Sequence, residues 1–184
     1  MKKHLLILLG AVLLFGCKKG DDDPAISFRS RKTRLAGDWH IESGNFNYTA
    51  GGYKFSYLFN GTEFSYNDPV SLGKGKYLFN INISKNGTFT MSEIMTGSII
   101  DASGNWTFNS GVGETKKKEE VIFYITTVSK GQSWNGFFNQ SSATFKYRIK
   151  ELRNKKMVLE ESGLFYSHNN EPISFGTSYT LIQS

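Results

Sequence analysis

The chain reads as an all-β protein: an antiparallel up-and-down meander of about eight to ten strands that closes into a barrel. Three observations predict this. From Trp39 onward apolar residues recur with a period of two, the mark of strands with one buried and one wet face. Two Asn-Gly pairs, Asn60-Gly61 and Asn86-Gly87, separate such runs, and Asn-Gly between alternating segments is the strongest short-range hairpin signal. The composition is aromatic and Gly-punctuated, with 15 Phe, 9 Tyr and 19 Gly against 3 Pro in 184 residues, which favours strands over helices. Closure would remove the exposed edges of so long a meander; a two-sheet sandwich is the alternative.

Before the strands come two segments of other kinds. Lys2 and Lys3 precede an apolar run from Leu5 to Phe15. Roughly 11 residues long, that run suits a signal-peptide core and falls short of the ~20 needed to span a bilayer. Residues 1–16 are therefore expected to be an export signal. Cys17 is the single cysteine of the chain, so it has no partner within the molecule. Residues 17–34 then carry Lys18-Lys19, the acidic run Asp21 to Asp23, Pro24 and several arginines, a solvated and flexible charged tether. Ser27 to Arg34 has a weakly helical look within it.

The folded domain is expected over 35–184. Tyr53, Phe55, Tyr57 and Phe59 alternate, Asn60-Gly61 turns, and Phe64 and Tyr66 return. Tyr77, Phe79, Ile81 and Ile83 share a face, Asn86-Gly87 turns, and Phe89, Met91 and Met95 follow. A turn at Ser103-Gly104 is expected to lead into Trp106 and Phe108. Val121, Phe123 and Ile125 form the next strand after a charged, Gly-rich loop. Phe145, Tyr147 and Ile149 alternate, Arg153 to Lys156 turns, Met157 and Leu159 return, and Tyr179 and Leu181 close the chain.

Two resemblances go further. Leu14-Phe15-Gly16-Cys17 resembles the lipobox of bacterial lipoproteins, which implies cleavage before Cys17 and acylation, with palmitate-type chains, of that cysteine. One chain anchors only marginally and two or three hold stably, so the membrane is an expected partner; an ordinary secretory signal is the alternative. The lysines and acidic run after Cys17 are similar to the export signal of surface lipoproteins of Bacteroidetes. They imply an outer-membrane location facing the cell surface, with a periplasm-facing position as the alternative.

Leu35-Ala36-Gly37-Asp38-Trp39 resembles the Gly-x-Trp first strand of lipocalins. The order of parts after it is similar to lipocalin-like domains of Bacteroidetes lipoproteins: Asn-Gly-Thr-Phe (Asn86 to Phe89), Gly-Asn-Trp-Thr-Phe (Gly104 to Phe108) and Ile-x-x-Leu (Ile149 to Leu152). The resemblance implies that Gly37 lets the chain bend into the barrel and that Trp39 plugs its closed end. It departs from animal lipocalins in carrying no disulfide.

Catalytic chemistry is not expected. His40 and His168 stand alone in the mature chain, and no His or Cys pair has metal-ligand spacing. Asp38, Asp68 and Asp101 sit beside turn-forming residues and read as local caps. Adjacent Glu160-Glu161 and Glu119-Glu120 face opposite ways on a strand. No cofactor or metal is expected. The formal charge of +6 is spread over loops and the tether, a solvated face and not a nucleic-acid footprint. Aromatic residues are the more suggestive feature. Trp134, Phe137 and Phe138 stand in a Gly/Asn/Ser-rich loop, and Tyr53 and Tyr57 crowd the first hairpin. These five are the candidate contacts for a ligand or partner. Two functions follow: a barrel that binds a small apolar or glycan ligand, or a packed barrel whose loops dock an envelope protein.

Overall fold

The computed structural model describes residues 27–67, 72–109, 119–129, 144–166 and 172–184. One short helix, α1 (Arg31–Leu35), precedes ten strands: β1 (Gly37–Ala50), β2 (Tyr53–Phe59), β3 (Glu63–Asn67), β4 (Leu72–Ile83), β5 (Thr88–Met95), β6 (Ser98–Phe108), β7 (Glu120–Val128), β8 (Thr144–Leu152), β9 (Lys156–Tyr166) and β10 (Pro172–Gln183). Each strand pairs antiparallel with its neighbour in sequence, and β10 pairs with β1 to close the ring. The fold is a closed up-and-down barrel, so the two-sheet alternative is excluded.

The ring is not the same at both ends. The first residues of β1, Gly37 to His40, pair directly with Asn80 to Ile83 of β4. That leaves eight strands around the end where Trp39 lies. Further along, β1 bulges between Ile41 and Ser43 and then pairs with β2. The β2–β3 hairpin is thereby wedged between β1 and β4, and the ring widens to ten strands. Barrel diameter grows with strand number, so the barrel flares. The hairpin tip fits the bulge closely: a Cβ on Gly61, which has φ +90°, would come within 3.2 Å of the Ile41 and Glu42 carbonyl oxygens.

Local chemistry explains the turns. Gly61 and Gly87 take positive φ, but their asparagine neighbours do not. Asn60 and Asn86 act through their side chains: Asn60 Oδ1 accepts from the Thr62 amide at 3.2 Å and the Glu63 amide at 2.8 Å, and Asn86 Oδ1 from the Thr88 amide at 3.0 Å. These are Asx turns, whose side chain stands in for a backbone acceptor. At Ser103-Gly104 the expected turn is absent. Both residues lie inside β6, and the register against β7 shifts there. Gly104 permits this bulge because a Cβ would lie 1.9 Å from the Tyr124 carbonyl oxygen. The chain reverses earlier, at Thr96 and Gly97, both with positive φ. Asp101 consequently lies in mid-strand and not at a turn.

The narrow half is a solid core. Trp39, Ile83, Phe89, Trp106, Phe123, Phe145 and Leu181 are all buried, and Phe89 meets Phe123 edge-on at 5.2 Å. The Trp39 indole donates to the Leu35 carbonyl at 2.8 Å, and the Trp106 indole to the Ser84 carbonyl at 2.8 Å. Arg31 and Arg34, expected in the solvated tether, are instead buried in α1. Arg31 donates to the Ile149 carbonyl and Arg34 to the Leu152 carbonyl. Around the bulge of β8 between Ile149 and Glu151 these carbonyls need donors other than a regular ladder, and burying them unpaired would be costly. The helix therefore belongs to the domain, and the chain enters the barrel at its narrow end.

Candidate functional site

The inner face of the wide half is organised in cross-strand rows. In the deepest row Leu159 pairs with Tyr179, Tyr179 with Gly44, Gly44 with Phe59, Phe59 with Phe64 and Phe64 with Gly75. One step toward the rim the row runs Glu161, Thr177, Phe46, Tyr57, Tyr66, Gly73. The outermost row is Gly163, Phe175, Tyr48, Phe55. Strand alternation puts each of these side chains inside.

Glycines are set beside rings in these rows for a steric reason. A Cβ on Gly73 would lie 2.3 Å from the Tyr66 ring, and on Gly75 2.6 Å from the Phe64 ring. On Gly44 it would lie 2.5 Å from the Tyr179 ring, and on Gly163 2.9 Å from the Phe175 ring. Each ring thus lies against the wall over a neighbour that lacks a side chain, and presents a face or edge to the interior. Tyr48 and Phe55 stack at 4.4 Å with planes 3° apart. Phe46 lies 6.1 Å from Tyr57, and Tyr57 6.1 Å from Tyr66. The deep row is buried, whereas Phe46, Tyr48, Phe55, Tyr57, Tyr66 and Phe175 keep partial access to solvent although they point inward. The wide end is therefore an aromatic mouth.

Beneath it is a polar layer. Glu93 faces the interior of β5 and is buried, and its Oε1 accepts from the Tyr77 hydroxyl at 2.8 Å. Burial is the main cause that raises the Tyr77 hydroxyl well above its usual pKa, with the Glu93 charge adding to it. Tyr147 and Tyr179 are raised too, chiefly by burial. Burial likewise raises the Glu161 carboxyl above its ordinary range, partly offset by Lys146.

Of the residues singled out in the sequence, Tyr57 stands in the middle row of the mouth and Tyr53 on its rim, 61% exposed. Gly37 opens β1 with φ +149°, and Trp39 fills the narrow end. Cys17, Trp134, Phe137 and Phe138 lie outside the described residues. Phe46, Tyr48, Tyr66 and Phe175 join the mouth without having been singled out. The alternation that marks Tyr53 to Phe59 is present in Phe46-Asn47-Tyr48 too, but only register brings the two segments together. Glu93 was legible as well, since it falls between Met91 and Met95 in a period-two run.

Outside the barrel, a solvent-open groove of about 680 Å³ crosses the outer face at β1, β4, β5, β6 and β7. Short polar side chains from Asp38, Asn80, Asn82 and Thr90 stand along it among apolar residues; Asn82 donates to Asp38, and Ser129 Oγ accepts from the Asp101 backbone amide. The apolar residues Trp39, Ile81, Met91 and Ala102 along it are buried in the barrel core, and small-ligand sites are mostly apolar with a few polar groups, so the mouth is the better candidate. Among the described residues no group of three or more His, Cys, Asp or Glu could hold a metal ion.

The geometry defines the class as a closed antiparallel barrel with a packed base and an aromatic mouth. No family model, curated protein or solved structure matches the chain.

Proposed function

We propose that the chain is a lipid-anchored lipoprotein of the bacterial outer membrane, facing the cell surface, whose lipocalin-like barrel binds a small apolar or glycan ligand in its mouth. One observation carries the binding reading: six aromatic side chains point into the wide end yet stay partly open to solvent. Aromatic residues that face a barrel interior are ordinarily there to be buried, and inward rings left partly open to solvent suit a ligand with flat apolar faces. The anchor reading rests on the lipobox resemblance at Cys17. Because α1 leads into the narrow end, an anchor upstream of it would hold the mouth away from the membrane.

Native mass spectrometry of the mature chain purified from its own organism tests the binding reading. The expected result is a co-purifying small molecule that leaves on denaturation. Bare protein mass would favour the second reading, an envelope interaction protein, for which the filled narrow half speaks. The anchor has its own test: Cys17→Ala is expected to abolish incorporation of an alkyne-tagged palmitate and to move the protein out of the membrane fraction. Retention of both label and membrane association would sink the lipoprotein assignment.

A further inference from the structure

The narrow end, where the chain enters the barrel, gathers positive charge around one exposed ring. Arg29, Arg31, Lys32 and Arg34 lie in or just before α1, and Arg153, Lys155 and Lys156 at the β8–β9 turn. The two segments touch, because Arg34 donates to the Leu152 carbonyl at the foot of that turn. Arg31 and Arg34 are buried, whereas Lys32, on the other face of the helix, is exposed. Arg29, Arg153, Lys155 and Lys156 are exposed as well. The one acid within 27–36 and 151–157, Glu151, is buried and bridges Arg153 and Lys156. Adding the lead from Cys17, with Lys18, Lys19 and Asp21 to Asp23, makes nine basic residues against four acidic ones. The excess therefore survives the acidic run of the tether.

Phe28 stands beside this cluster, two residues before the Ser30 cap of α1. At 93% it is the most exposed large apolar side chain among the described residues. A ring flanked by basic residues suits a lipid headgroup layer, where the ring enters the acyl boundary and the cations reach phosphate oxygens. The reach of the tether allows it. At no more than about 3.5 Å per residue, the ten residues 18–27 keep Phe28 within about 40 Å of Cys17.

We propose that the narrow end docks on the leaflet that holds the Cys17 anchor, with Phe28 in the acyl boundary and Arg29, Lys32 and Lys155 on anionic lipid phosphates. This rests on the lipoprotein reading and adds to it that the barrel is seated on its base, with the mouth facing away.

The acylated mature chain, reconstituted into vesicles of phosphatidylcholine alone or mixed with phosphatidylglycerol, tests it. Acylation consumes the Cys17 thiol, so Asn154→Cys in the basic turn, or Lys54→Cys near the wide rim, can carry a single environment-sensitive fluorophore. Flotation with the vesicles reads the anchor separately. On mixed vesicles the label at position 154 is expected to brighten and to be quenched by headgroup nitroxide lipids; on neutral vesicles it stays in water. The label at position 54 is expected to stay in water on both. Salt at about 1 M, which cuts the screening length to about 3 Å, is expected to release the base. Arg29→Gln, Lys32→Gln and Lys155→Gln are each expected to lower the ratio of docked to undocked protein about fivefold, and Phe28→Ser at least as much. An equal signal on the two kinds of vesicle in protein that floats, or a response at position 54, would overturn the docking and leave the anchor standing. If the protein does not float, the lipoprotein reading falls, and the docking with it.

Discussion

Trp39→Ala is expected to lower the unfolding free energy by about 3–5 kcal/mol. Trp39 is 1% exposed at the narrow end, where eight strands converge. Its removal opens a cavity that the surrounding ring, hydrogen-bonded on every side, has little freedom to collapse into. It also leaves the Leu35 carbonyl without the indole donor at 2.8 Å, and a buried acceptor left unsatisfied costs about 1–3 kcal/mol. Small domains are stable by only about 5–15 kcal/mol, so this single truncation takes a large share. Urea denaturation followed by far-UV circular dichroism reads the change. A loss below about 1 kcal/mol would mean that the narrow end is not the rigid plug described.

The second large effect is alkaline unfolding. Tyr77, Tyr147 and Tyr179 are buried, and burial raises all three hydroxyls above the ordinary value of 10.0. The unfolded chain releases these protons at about pH 10 and the folded chain does not. Stability from the neutral hydroxyls is thus complete below pH 10 and drains away as pH rises through the interval up to the folded values. Each tyrosine loses about 1.4 kcal/mol by one pH unit above its unfolded pKa. Three together lose about 4 kcal/mol near pH 11, enough to bring a marginal domain close to its midpoint. Denaturant melts at pH 8 and pH 11, with tyrosinate absorbance recorded alongside, check this. The expected pattern is a class of tyrosines that ionises only together with loss of the strand signal. Tyrosinate formation from Tyr77, Tyr147 and Tyr179 in a fully folded barrel would contradict their burial.

The same three tyrosines show why part of the site was hidden from the sequence. Tyr77, Tyr147 and Tyr179 each appear in clean alternating runs, and that alternation assigns them to the inner face. It does not say that Tyr147 and Tyr179 come near Tyr77 and Glu93, because β8 and β10 approach the β4–β5 hairpin only when the ring closes. The burial of Arg31 and Arg34 is hidden for a related reason. A basic stretch beside a charged tether has the composition of a solvated segment, and the carbonyls that bury it belong to β8, more than a hundred residues away. At Gly104 the pattern is ambiguous because Ser-Gly suits a turn and a bulge equally, and only the approach of the Tyr124 carbonyl separates them.

The all-β class, the antiparallel hairpin order and the inward face of nearly every strand are legible from residue pattern alone. Those depend on period-two burial and on local turn chemistry, which act between near neighbours. The two pairings of β1, first with β4 and then with β2, were decided by tertiary structure alone. So was the resulting flare from eight strands to ten. Register across distant strands depends on how bulges, rings and glycines fit around a closed wall, and a one-dimensional pattern carries no measure of that fit. The aromatic mouth, with Glu161 in its wall, exists only because the closed ring brings β9, β10, β1, β2 and β3 side by side.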